Sequence, residues 1–146
     1  MLLFKIPKLA KISWIVGTKN LSFTLIQCLF PLIGLWKGTK SSFNIFFIRT
    51  AIKILISNFN ILNIFYHTPS LCGALYFSIE NKIFKCVIPA ICMAIFIMHP
   101  VGSQAYAYSF YWLIPIFITL FNIKSNFSKM LASTFTTHAV GSILWL

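Results

Sequence analysis

From residue 21 to residue 146 the chain is a succession of apolar runs, at 21–36, 43–66, 69–80, 83–99, 104–121 and 130–146, separated by short polar connections. Near-continuous apolar runs of this length read as helices rather than as half-buried strands. Charge decides what surrounds them. Only 9% of the residues are charged and 59% are hydrophobic, whereas a soluble domain is about a quarter charged. So little charge does not keep a domain of this size dispersed in water. An aromatic content of 17% excludes a disordered chain. The expected fold class is therefore all-α: a polytopic transmembrane helix bundle of five to six short helices. It forms a single integral membrane domain over residues 1–146, with helices from residue 21 onward. A transmembrane β-barrel needs alternating segments of about ten residues, and the pattern lacks them.

Twelve basic residues face a single acid, Glu80, for a formal net charge of +11. They flank the apolar runs instead of forming a basic stripe, which argues against nucleic acid and for a bilayer with anionic headgroups. Lys37 and Lys40, Lys82 and Lys85, and Lys124 and Lys129 occupy alternate connections. Alternate crossing puts all three connections on one side, the cytoplasmic side by the positive-inside rule. The connections 67–70 and 99–103 carry neither lysine nor arginine. The run 69–80 is too short to cross alone and is expected to form a hairpin with 43–66, turning at 67–70.

Residues 1–20 are expected to form a basic amphipathic segment at the interface, with Lys5, Lys8 and Lys11 opposite Leu2, Leu3, Ile6, Leu9 and Ala10. Although 21–36 follows these lysines as a signal peptide would, no small-residue cleavage site follows it. Pro31 and Gly34 mark it as the least certain crossing, shallow or re-entrant. The predicted location is a multi-pass position in a bacterial inner membrane.

Several residues are candidates for chemistry. Arg49 and Lys53 share a helical face inside 43–66, either lining an anion-attracting cavity or snorkelling to headgroups. Glu80 is placed near the same membrane side as Arg49. In the last run, Ser133, Thr137 and Gly141 form a small-residue ridge suited to close helix packing. Beside it His138 is an ionisable group within the membrane, with Thr134 and Thr137 adjacent. Gln104 and Tyr108 lead a second polar stripe, next to a proline-glycine break at 99–104 of the kind that exposes backbone to solutes. Asn58, Asn60 and Asn63 are expected to hydrogen-bond between helices.

No metal site is predicted. His67, His99 and His138 share no local ligand spacing, and Cys28, Cys72, Cys86 and Cys92 form no CxxC pair. Nucleotide-binding and hydrolase motifs are missing, and one carboxylate cannot supply acid–base pairs. The chain is therefore not expected to be an enzyme and needs no cofactor. The predicted function is to bind or pass a small neutral or anionic solute. His138, Thr134, Thr137, Gln104 and Tyr108 would line a cavity open to the lysine-poor side, and a membrane-protein partner or a homo-oligomer would supply any energy. The alternative is an assembly subunit without a ligand. In size and layout the chain resembles the substrate-binding membrane components of energy-coupling-factor vitamin transporters, which implies the same dependence on a partner.

Overall fold

The computed structural model describes residues 11–16, 19–57 and 65–146. Lys5, Lys8, Asn58, Asn60 and Asn63 lie outside these. Two strands, β1 (Lys11–Val16) and β2 (Lys19–Thr24), pair antiparallel, with Lys11 opposite Thr24 and Val16 opposite Lys19. The expected interfacial helix therefore does not extend past Lys11, and no helix begins at residue 21. Ile12, Trp14 and Val16 explain this: β-branched and aromatic residues at alternate positions favour a strand.

The rest of the described chain is helical. α1 (Leu25–Ser57) carries the first apolar run from Leu25 and the second as far as Ser57. Gly38 sits inside it at φ 74 and ψ −171, a left-handed conformation that breaks the helix into two arms. The expected loop between the runs is thus a single-glycine kink. After a turn at Tyr66–His67, α2 (Thr68–Ser78) begins with Pro69 in its first turn, where the missing N–H costs nothing. α3 (Lys82–Met98) is capped by Asn81, whose Oδ1 accepts from the N–H groups of Ile83 (2.8 Å) and Phe84 (3.4 Å).

The run 104–121 departs from a plain helix. It winds as a 3₁₀ helix (Gly102–Trp112), non-helical at Ala105, and only then as α4 (Leu113–Leu120). Pro115 cannot donate to the carbonyl of Tyr111 and would crowd it, which favours the change of pitch at this boundary. Gly102 allows the tight start, because a Cβ there would collide with the Phe96 carbonyl. α5 (Asn126–Leu144) closes the bundle. Among the described residues no helix is long and apolar enough to cross a membrane, so the chain is a helical protein whose helices do not individually meet the expectation of transmembrane spans.

Close backbone approach sets the layout. α2 lies between α1 and α5. On one side Gly34 of α1 touches the Ala74 backbone; on the other, Gly73 faces Ser133 and Thr137 of α5. Ser133 Oγ donates to the Gly73 carbonyl at 2.8 Å, linking the two helices through a buried bond. Around this seam Phe30 packs on Leu71, Ala74 and Leu75. A second cluster joins Cys92 and Phe96 of α3 to Trp112 and Ala139, with the Phe96 and Trp112 rings edge-to-face at 5.1 Å. Trp112 is fully buried, and its indole N–H has no partner among the described residues. A third cluster, Tyr76, Ile118 and Ala132, ties α2 to α4 and α5.

The Gly34 contact predicts a specific sensitivity. Gly34→Ala places a methyl group against rigid backbone and is expected to lower stability by about 3 kcal/mol, at the upper end of overpacking effects. Gly141→Ala meets Pro69 only at ordinary van der Waals distance, 3.7 Å. It should be neutral or stabilising by up to about 1 kcal/mol through helix propensity. Thermal unfolding of the two variants in one detergent measures the contrast.

Candidate functional site

Four lysines converge at one end of the bundle. Lys82 and Lys85 come from the first turn of α3, Lys124 from the α4–α5 connection and Lys129 from the first turn of α5. With Glu80, Tyr76 and Thr119 they line an open cavity of about 500 Å³. Two local devices build it. Asn81 starts α3 so that Lys82 and Lys85 fall in its first turn, where they line the cavity. Asn122 ends α4 in the left-handed conformation, φ 52. The Ile123 N–H then returns to the Ile118 carbonyl (3.0 Å) and the Asn122 N–H to the Thr119 carbonyl (3.3 Å). This is a Schellman closure with asparagine in the usual place of glycine, and it turns the chain so that Lys124 rims the cavity.

The inner wall is neutral and hydrogen-bonded. Tyr76 is almost fully buried, and its hydroxyl lies 2.9 Å from Thr119 Oγ1, which donates to the Pro115 carbonyl at 2.7 Å. Lys85 Nζ sits 4.8 Å from the centroid of the Tyr76 ring. The ring's negative face holds the ammonium there without a carboxylate. The site can therefore present several cationic donors to an anion beside a fixed neutral wall. It holds no nucleophile–base pair. Among the described residues no group of three or more His, Cys, Asp or Glu side chains gathers as a metal site requires.

The opposite end carries a smaller cluster. Lys53 Nζ lies 4.6 Å from the Tyr66 ring centroid, and Tyr66 meets the rings of His67 (5.0 Å) and Trp145 (6.3 Å) edge-on. Arg49 stands 4.8 Å from the ring centroid of buried Phe30. Arg49 and Glu80 are not brought together: Arg49 lies on Phe30, and Glu80 lines the lysine cavity. His67 is buried at 8% exposure. Burial, reinforced by the charges of Arg49 and Lys53, lowers its pKa from 6.5 to about 4.

The residues expected to bind solute lie outside the lysine cavity. His138 and Thr134 are exposed on α5, and Thr134 Oγ1 donates back to the Met130 carbonyl at 2.9 Å. Gln104 is exposed on the 3₁₀ helix. Tyr108 is also exposed there, its ring centroid 5.8 Å from that of Trp112 and 6.2 Å from that of Phe96. Thr137 donates to the Ser133 carbonyl at 2.9 Å and faces Gly73, so it belongs to the α2–α5 seam. None of these five lines the 500 Å³ cavity. In the sequence Lys82, Lys85, Lys124 and Lys129 serve only to orient the chain, Thr119 belongs to the polar stripe led by Gln104 and Tyr108, and Tyr76 and Asn122 give no signal. Two lysine pairs on alternate connections, one beside the sole acid, are the available signal.

The depressed pKa of His67 fixes a direction for pH dependence. The folded state favours the neutral imidazole, so this contribution is complete above about pH 6.5. It is lost as the pH falls toward 4. Unfolding midpoints measured across that range should drop by the equivalent of about 2 kcal/mol, and His67→Gln should flatten the profile. Comparison with known proteins finds no matching family model, no matching curated protein and no matching solved structure.

Proposed function

We propose that this chain is a membrane-embedded helical bundle that binds a small anionic solute at its lysine end. The reading is carried by the inversion of its surface. Leu55 and Met98 are each 84% exposed, and Trp36 and Phe121 each 73%, while Ser42, Ser109, Ser133 and Thr136 are 2% exposed or less. Water penalises such an exterior, whereas hydrocarbon accepts it. The hydroxyl groups fit the same solvent. Ser42, Thr136 and Thr137 donate to carbonyls of their own helices four residues back, as does the exposed Thr134. An exposed hydroxyl in water has no need of that bond; one in lipid does.

The helices are short for the task. At 1.5 Å per residue the 17 residues of α3 span about 25 Å, against a hydrocarbon core of about 30 Å. The proposal therefore has the bundle embedded as a unit in a locally thinned bilayer. Lys82, Lys85, Lys124 and Lys129 would sit at the headgroup level of the cytoplasmic leaflet. Having no nucleotide motif and no acid relay, the chain would depend on a partner for any energised movement of the solute.

The lack, among the described residues, of any helix long and apolar enough to cross a membrane favours a second reading. In it the same apolar faces are covered by a larger membrane protein and the chain is an assembly subunit. Flotation separates the two. The purified chain, reconstituted alone, should rise with phosphatidylcholine vesicles and resist alkaline carbonate extraction. Release into the aqueous phase would overturn the embedded reading. Stability only in the presence of a co-purifying membrane protein would replace it with the assembly reading.

A further inference from the structure

We infer that the lysine cavity is a site for a ligand carrying two phosphate groups, a diphosphate or a bisphosphate. The inference rests on the reading of this cavity as the anion site and specifies its ligand. Charge sets the first condition. Lys82, Lys85, Lys124 and Lys129 against Glu80 leave a local excess of three positive charges, four minus one. A monoanion leaves most of that excess unmatched; a ligand with two to three negative charges neutralises it.

Donor chemistry sets the second condition. All four cations are lysines. An ammonium is a compact point charge with freely rotating donors, suited to tetrahedral phosphate, whereas arginine's planar fork is the better partner for a carboxylate. The ammonium groups also come from two separate connections that line one cavity. That arrangement matches two anionic groups joined by a short bridge better than one. A cavity of about 500 Å³ has room for both phosphates and part of the group that bears them.

Neighbouring contacts leave the cations available. Lys85 is held by the Tyr76 ring and so keeps its N–H donors for a ligand. The Tyr76 hydroxyl is already engaged with Thr119, so this wall adds shape rather than charge. Glu80 at the rim is an acceptor suited to a hydroxyl on the ligand's bridge or remainder, and it repels a third anionic group. The same chemistry occurs in a bisphosphate lipid headgroup and in a free diphosphate ester.

Calorimetric titration of the purified chain in neutral detergent with inorganic pyrophosphate tests the inference, with citrate as the carboxylate comparison. In parallel, unfolding is followed in phosphatidylcholine nanodiscs with and without cardiolipin. Saturable pyrophosphate binding, at least about tenfold tighter than citrate and weakened by salt, supports the site with a soluble ligand. A cardiolipin-dependent rise in the unfolding midpoint without pyrophosphate binding supports it with a lipid source. In either case the double variant Lys85→Gln/Lys129→Gln should abolish the effect, and Lys85→Arg/Lys129→Arg should retain most of it. Should the glutamine variant unfold, protection of Lys85 and Lys129 from amine acylation by the same ligands gives the readout on the unaltered chain. Citrate binding equal to or tighter than pyrophosphate overturns the phosphate assignment while leaving an anion site. Responses that ignore the lysines overturn the site altogether. Flotation reports separately on membrane embedding, so the two failures are distinguishable.

Discussion

The bundle depends on close approach to the backbone of α2. Gly34 lets α1 meet the Ala74 backbone of this eleven-residue helix directly, while Gly73 admits the Ser133 and Thr137 hydroxyls of α5, and the Ser133 hydroxyl bonds to the Gly73 carbonyl across the seam. An eleven-residue helix buries little area alone, so its neighbours must come close for dispersion contacts to accumulate. Where the exterior is as apolar as the interior, such proximity supplies the selectivity that hydrophobic burial supplies in water. The clusters around Phe30, Trp112 and Tyr76 then fill the spaces that the seam defines.

Much of the element layout was legible in the sequence. From Leu25 onward the described apolar runs map onto helices, and two of the three lysine pairs, Lys82/Lys85 and Lys124/Lys129, line one cavity. The inward faces were not legible. Ser133, Thr134, Thr137 and His138 share half of a wheel, yet the structure buries Ser133 and exposes Thr134 and His138. The most buried positions of α5 are Ala132, Thr136 and Ala139. When large apolar residues lie on both sides of a helix, hydropathy cannot orient it, and small residues mark the packed face. Helical periodicity alone also misses the change of pitch before Pro115, which depends on crowding within one turn, and the β1–β2 pairing, which begins where the basic wheel of residues 2–11 ends.

The candidate site was missed for a related reason. Its lysines flank apolar runs and so read as topology signals, while Tyr76 lies within a run and reads as filler, and Thr119 reads as part of the polar stripe of Gln104 and Tyr108. What turns them into one cavity is local: an asparagine cap at Asn81 and a left-handed asparagine at Asn122. Both are ordinary turn chemistry. Their significance emerges only when the two connections they shape are found side by side.

Among the described residues three cations are seated on rings: Arg49 on Phe30, Lys53 on Tyr66 and Lys85 on Tyr76. Benzene-type faces have no proton to exchange across the acid range. A guanidinium or ammonium resting on one therefore keeps its berth at acidities that would silence a carboxylate counter-ion. With a lone glutamate in the whole sequence, this form of anchorage lets the protein hold its electropositive poles in place without cancelling them.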